Sequence, residues 1–170
     1  MTKKRARTFF KEQYPMITKE EKQTRQKQLL TLISNLKEFQ EALKVALYYP
    51  LYYEIDLTDL MEKFSEKQFY FPKVVKDSLN FYLVKDVNLL KPSVFGLKEP
   101  SESFLLEREI DLYLVPCLAS SDNYRLGHGK GYYDKYFHQY KGYKVGIVYL
   151  RFKNLDITID SHDIPMDVIL

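Results

Sequence analysis

The stretch DLYLVPCLASSDNYRLGHGKGYYDKYFHQYKGYKVGIVYL, residues 111–150, decides the fold. It opens on DLYLV (111–115), a continuous apolar run of the kind carried by strands buried on both faces of a parallel sheet. A polar loop and a cluster of glycines follow, then YYDKYFHQY, which reads as a helix, and YKVGIVYL (143–150), a second apolar strand. Strand, helix, strand is the unit that joins parallel neighbours, because a parallel pair needs a long crossover between its ends.

The alternation continues toward the start of the chain. VALYY (45–49) is β-branched and aromatic and is closed by Pro50. Leu57, Leu60, Met61 and Phe64 then follow the helical period. FYFPKV (69–74) and LNFYLV (79–84) read as two more strands separated by a polar turn, and 86–103 reads as a loop with Pro92, Gly96 and Pro100. Two helices open the chain. The first runs from Thr2 to Gln13 and stops before Tyr14-Pro15, since proline disfavours helix in the residue before it. The second begins at a capping box, Thr18 with Glu21, and carries Leu29, Leu30, Ile33 and Leu36 on one face. After residue 150 only a polar segment is expected. No internal repeat, low-complexity tract or linker interrupts the pattern, so residues 1–170 read as one α/β layered domain with a mainly parallel sheet.

Composition bounds the function. The chain has 170 residues, 45% of them hydrophobic, enough to bury roughly 70% of its unfolded surface and too much for a disordered protein. No apolar run approaches the roughly 20 residues that span a bilayer, and the basic start lacks the apolar segment of a secretion signal, so the expectation is a soluble, cytoplasmic protein with no membrane partner. Cys117 is the single cysteine, which excludes an internal disulfide and any multi-cysteine zinc site. The net charge of +3 hides an asymmetry: residues 1–30 carry nine Lys/Arg against three Glu. Such a start suits a phosphorylated ligand, a nucleic acid, an anionic lipid surface or simply a solvated helix face, the last being the commonest.

Three of the six glycines, Gly127, Gly129 and Gly131, fall within five residues. Alternating glycines let a backbone turn sharply and aim successive N–H groups into one concavity, and a helix N-terminus behind it completes a phosphate site. Arg125 and Lys130 add positive charge, and Asp134 offers a hard oxygen ligand for magnesium. The spacing is neither that of the common nucleotide-triphosphatase loop nor that of the dinucleotide fingerprint. A tight turn into a helix, with Asp134 merely complementing the helix dipole, would use the same residues. Three alternating glycines with an arginine, a lysine and an aspartate within ten residues favour the phosphate reading.

The run RLGHGKGYYD, Arg125 to Asp134, strongly resembles the signature of the 5-formyltetrahydrofolate cyclo-ligases, also called 5,10-methenyltetrahydrofolate synthetases. KKRAR (3–7) is similar to that family's basic N-terminal motif and YYPLYYEID (48–56) to its strand-then-glutamate segment, while FPKV (71–74), GLKEP (96–100) and SHD (161–163) match further landmarks in the same order. The resemblance implies a three-layer, Rossmann-like α/β fold and an ATP-dependent ligase that phosphorylates the formyl oxygen of 5-formyltetrahydrofolate. The neighbouring nitrogen then attacks, and phosphate leaves. ATP and Mg2+ are the implied cofactors, and a monomer acting without nucleic acid is expected. By the same resemblance, Arg125 and Lys130 are the catalytic residues. ATP falls to Lys3, Lys4, Arg5, Ala6 and Arg7 together with Arg125, Leu126, Gly127, His128, Gly129, Lys130, Gly131, Tyr132 and Tyr133. The folate falls to Tyr49, Glu54 and His128 through Tyr132, and the metal to Asp134 and Asp163.

Read without the resemblance, Glu54 can equally cap the helix that starts near Asp56, Tyr49 can be a core aromatic, and Lys3 and Arg7 can share a solvated face. PCLASSDNYR (116–125) departs from the family, which has Pro-Gly-x-x-Phe-Asp there: Cys117 replaces the glycine, and Ser120 and Ser121 stand near the missing Phe-Asp. His138 and His162 read as surface residues and Cys117 as a small buried apolar one. Two alternatives stand beside the cyclo-ligase: a nucleotide- or RNA-binding module and a different ATP-dependent small-molecule ligase.

Overall fold

A computed structural model describes every residue of the chain except Phe95. Helices α1 (Lys3–Gln13), α2 (Lys19–Asn35) and α3 (Lys37–Glu41) come first, then β1 (Lys44–Ala46), α4 (Asp59–Lys63) and the hairpin β2 (Gln68–Val75) and β3 (Ser78–Leu83). A short ribbon, β4 (Lys91–Pro92) with β5 (Lys98–Glu99), precedes β6 (Leu106–Glu107) and β7 (Leu112–Pro116). A second hairpin, β8 (Ala119–Ser121) and β9 (Tyr124–Leu126), leads to α5 (Tyr132–Gln139), β10 (Tyr143–Ile147) and β11 (Val168–Ile169). Seven strands form the main sheet in the order β11-β10-β7-β1-β2-β3-β6. The run from β11 to β2 is parallel, and β3 lies antiparallel to both β2 and β6. This is the expected α/β architecture: a mainly parallel sheet flanked by helices.

The sequence pattern explains most of these elements. Leu112, Tyr113, Leu114 and Val115 are all buried, because β7 has parallel neighbours on both sides and layers on both faces. On one face Tyr113 packs edge-on against Phe81 at 5.4 Å, Tyr136 at 5.6 Å and Phe137 at 5.0 Å, which seats α5 on the sheet. The Tyr113 and Tyr136 hydroxyls, 3.0 Å apart, satisfy each other inside that cluster. The β2–β3 hairpin turns on Lys76 and Asp77, both in the left-handed region, the geometry that matches strand twist in a two-residue turn. In α2, Thr18 Oγ1 accepts from Glu21 N at 3.1 Å, but Glu21 turns its carboxylate to Arg151 at 3.0 Å, so half of the capping box forms. Arg25, buried and with its pKa lowered by that burial, donates from Nε and Nη2 to Val148 O at 3.0 Å each and pins α2 beyond the end of β10.

Several expectations shift. The helix expected over Leu57–Phe64 covers only Asp59–Lys63, since Leu57 packs before it and Phe64 after it, at φ −125°. Tyr14 keeps a helical backbone in front of Pro15 and opens a 3-10 turn, Tyr14–Met16. Tertiary contacts hold it there: its ring stacks on Phe10 at 5.6 Å and its hydroxyl donates to Tyr52 O at 2.6 Å. The polar loop 116–125 contains the β8–β9 hairpin, with Asp122 in the left-handed region, and the polar tail ends in β11 on the sheet edge. No helix among the described residues is long and apolar enough to cross a membrane.

Gly142, at φ +141°, connects α5 to β10 so closely that a Cβ would lie 2.4 Å from the Tyr113 ring and 2.6 Å from Ile110 O. Gly142→Ala is therefore expected to destabilise the fold by about 2–4 kcal/mol, read as a lower urea midpoint with an unchanged slope.

Candidate functional site

The glycine run, the N-terminal helix and the 156–164 segment meet beyond β9. Thr2 caps α1 through Arg5 N at 3.2 Å, which puts Lys3 and Arg7 one turn apart on the side facing the loop. Arg7 Nε donates to Gly127 O at 2.9 Å. Lys3 Nζ reaches Asp163 Oδ1 at 2.6 Å and Asp160 Oδ2 at 2.7 Å. Burial alone would lower the lysine pKa, but the hydrogen bonds it donates to Asp160 and Asp163 outweigh that and raise it, while Lys3 lowers that of Asp160. Ala6 is wholly buried in the core, and Lys4 and Arg5 lie exposed, so of the KKRAR motif only Lys3 and Arg7 make side-chain contacts with this region.

Arg125 is the centre of the loop. Its side chain is 6% exposed, 3.6 Å from Asp134 Oδ2 and 4.8 Å over the Tyr133 ring, and its Nε has no hydrogen-bond partner. A buried guanidinium with a free donor is costly unless an anion completes it. Gly127 is small for this reason: a Cβ there would fall 2.5 Å from Arg125 Nη1. Gly129 (φ +100°) and Gly131 (φ +69°) are needed for their backbone conformations, and Gly131 is the N-cap of α5. Leu126 is buried, so it faces the loop through its backbone alone. Lys130 is exposed and makes no ion pair among the described residues. The loop thus offers a helix N-terminus, a buried arginine fork and an exposed lysine charge, a set that suits a phosphate.

The second part of the site follows β1. Glu54 closes a turn in which its Oε2 accepts from Leu51 N at 3.0 Å, while Oε1 lies 3.3 Å from His128 Nε2. Glu54 does not cap the next helix: Thr58 is the N-cap of α4 and has no side-chain capping bond, and Asp56 accepts from Thr58 N at 2.9 Å in the turn before it. Glu54 is left with one oxygen turned to the glycine loop, its side chain 10% exposed. His128 also pairs with the Tyr53 hydroxyl at 3.4 Å, and burial pushes the Tyr53 pKa up to about 12. Tyr49 is half-buried beneath Lys98, 4.9 Å from its ring, and Tyr132 is half-buried in the first turn of α5.

Asp134 and Asp163 do not share one cluster. Asp134 Oδ1 accepts from Ile164 N at 3.2 Å, which brings it beside the segment that carries Asp163. The carboxylates that converge are Asp160 and Asp163, with His162 beside them, all within 4.8 Å. Asp160 is absent from the sequence-based set; the only sign of it is an acid three residues before Asp163 in DSHD. His138 and His162 are exposed surface residues, with His138 Nε2 3.3 Å from His162 O. Cys117 lies under the loop, its Sγ donating to Val115 O at 3.4 Å; burial pushes the thiol up to about 12 against the lowering pull of Arg125.

With this geometry in hand, comparison with known proteins is decisive. The profile of the 5-formyltetrahydrofolate cyclo-ligase family matches residues 1–170. The chain belongs to this family. A cyclo-ligase of Mycoplasma pneumoniae is 31% identical over 132 residues, covering 74% of this chain and 71% of the relative. A probable cyclo-ligase of Caenorhabditis elegans is 30% identical over 148 residues, 79% of this chain and 72% of the relative. Among solved structures, the Aquifex aeolicus 5,10-methenyltetrahydrofolate synthetase superposes with a TM-score of 0.86 at 33% identity, covering 98% of this chain and 88% of its own. The cyclo-ligase family is one of ATP-dependent enzymes, so the glycine loop and its arginine lie in a chain that uses a nucleoside triphosphate.

Two outcomes test this geometry. Gly127→Ala is expected to leave the fold intact, because the atom it strikes is the end of a flexible side chain, yet to lower kcat/KM on the order of a hundredfold by displacing Arg125. Cys117 is expected to resist a thiol-specific label at pH 8 and to react on unfolding. The unfolded thiol ionises first, so its linkage also lowers stability as pH rises above about 8.5.

Proposed function

We propose that the chain closes 5-formyltetrahydrofolate to 5,10-methenyltetrahydrofolate through the residues just described, with ATP cleaved to ADP and phosphate. The observation that carries the assignment of residues is the buried Arg125 with its unpaired Nε, set among the glycines that would wrap a triphosphate. A formyl oxygen is a poor leaving group, and its phosphorylation makes it a good one. The neighbouring folate nitrogen then attacks the activated carbon, the C–O bond breaks, and phosphate departs. No protein nucleophile is required, which agrees with a Cys117 thiol held protonated by burial.

In this reading the protein positions two substrates and stabilises charge on the transferred phosphoryl group. Arg125 and Lys130 hold that charge, with the loop N–H groups and the α5 N-terminus around it. Arg7 fixes the loop through Gly127 O. Glu54 Oε1 accepts N–H donors of the reduced pterin, which take the place of His128, while Tyr49 and Tyr132 flank the ring. Lys3 leaves its carboxylates to meet the phosphates.

Magnesium fits the donors present: Asp134, Asp163 and Asp160 are hard oxygen ligands, and Arg125 or Lys3 now balances each of them. Asp134 and Asp163 would hold the ion, which would neutralise phosphate charge when bound. We further propose one folding unit over residues 1–170, acting as a cytoplasmic monomer on small-molecule substrates without nucleic acid or membrane.

The decisive measurement follows phosphate release and the methenyl chromophore together. Release that requires 5-formyltetrahydrofolate and matches methenyl formation one for one is expected; ATP cleavage with another acceptor only would overturn the reading. Lys130→Ala is expected to reduce kcat by roughly a hundredfold or more with the fold intact. Asp134→Asn is expected to raise the magnesium-ATP requirement and leave folate KM unchanged.

A further inference from the structure

A small cavity is lined by Tyr124 and Arg125 from β9, by Thr158 and Asp163 from the 156–164 segment and by Lys3 from α1. It holds about 10 Å³, close to the room one water needs and far too little for a phosphate group. Yet one of its walls is the buried guanidinium whose Nε has no partner. An anion can reach that donor through this cavity only if a lining side chain moves.

Lys3 is the side chain able to do so. Its ammonium bridges Asp163 Oδ1 at 2.6 Å and Asp160 Oδ2 at 2.7 Å. Asp160 N donates to Asp163 Oδ2 at 2.8 Å and Asp163 N to Asp160 O at 3.0 Å, so one tight turn presents both carboxylates to the same cation. The join between α1 and this segment does not depend on that cation. Thr158 N donates to Met1 O at 2.9 Å, and the Met1 amino group donates to Asp156 O. A flexible lysine stem can therefore swing away while the segments stay together. The opposite wall is held by regular structure: Arg125 sits in β9, and Ser121 of β8 accepts at Oγ from Ile157 N at 3.4 Å.

We infer that Lys3 and Asp160 form a latch: the Lys3 ammonium holds the place of the divalent cation at Asp163, and Asp160 is the positioning residue that keeps it there until nucleotide phosphates take it. The inference rests on the magnesium-nucleotide reading above. Opening the latch is an exchange of partners. Lys3 trades two carboxylates for phosphate oxygens, which opens the cavity toward Arg125, and Asp163 trades an ammonium for the metal. Each half is unfavourable alone. Metal arriving first meets an ammonium already paired with its ligand, and phosphate arriving first must draw Lys3 away from two carboxylates. Metal and nucleotide therefore bind with positive coupling, each raising the affinity for the other. Asp160, its side chain 48% exposed, stabilises the closed state only, so its loss favours the nucleotide. A metal ligand at the same position would have the opposite effect.

The test reads binding rather than turnover. Manganese alone is titrated into the full chain and into Lys3→Gln and followed by its electron spin resonance. Lys3→Gln is expected to bind the ion about tenfold more tightly than wild type, because no ammonium competes for Asp163. Calorimetry then compares magnesium with the β,γ-imido analogue of ATP in wild type, Asp160→Asn and Asp160→Glu. Asp160→Asn is expected to lower the analogue Kd about threefold, the release of one partly exposed ion pair, and Asp160→Glu to return it to the wild-type value. A purely structural ion pair would lower the melting temperature with no gain in affinity. Equal manganese affinity in wild type and Lys3→Gln overturns the inference. So does unchanged or weaker analogue binding by Asp160→Asn, and weaker binding makes Asp160 a metal ligand. If Lys3→Gln does not fold, Asp160→Asn decides alone, since Met1 still joins the two segments. A wild-type chain that binds no analogue overturns the magnesium-nucleotide reading itself, before any variant is compared.

Discussion

A nearly buried guanidinium with one donor left over governs the active region. Arg125 lies under the glycine loop, against Tyr133 and 3.6 Å from Asp134, a separation too long for a strong hydrogen bond. Desolvating an arginine this far costs several kcal/mol unless anions surround it. The fold supplies one carboxylate and an aromatic face and leaves Nε without a partner. The surroundings are shaped to keep the group there: Gly127 has no side chain to collide with it, and α5 starts immediately after the loop that covers it. What suits the loop to an anion is thus burial as much as glycine geometry.

The sheet explains how such a group comes to be held. β7 is fixed on both sides by parallel partners, and the crossover through α5 must return to β10, so the loop between them is anchored at both ends. Extra structure narrows its freedom further. The β8–β9 hairpin places Arg125 in a strand, and Ser120 Oγ accepts from Asn154 N at 3.1 Å, tying that hairpin to the next loop. The fold thereby fixes Arg125 in regular structure and leaves Lys130 exposed on the loop.

Legibility in the sequence followed the physics of each element. The glycine cluster was readable because left-handed backbone at Gly129 and Gly131 has few other residue solutions. β7 and β10 were readable because burial on both faces demands unbroken apolar runs. Lys3 and Arg7 were readable as a pair one turn apart, but KKRAR alone does not say which helical face points inward. Packing settles that phase by burying Ala6 and Phe10. Asp160 and β11 left no such trace, since a two-residue edge strand and an irregular loop have no period. The capping alternative for Glu54 was open in the sequence, and only the hydrogen bonds remove it: Glu54 closes its own turn onto Leu51 N, and α4 starts later, after Thr58.

The pairing of Lys3 with Asp163 joins positions 160 residues apart. Met1 and Thr158 make a backbone bond across nearly the same distance, from Thr158 N to Met1 O at 2.9 Å. Contacts of such sequence separation are among the last that a growing chain can make, because the loop they close is almost the whole molecule. A nascent chain therefore carries its basic helix for some time without the acidic segment that Lys3 pairs with. The junction between α1 and the 156–164 segment is therefore closed only when nearly the whole chain is present.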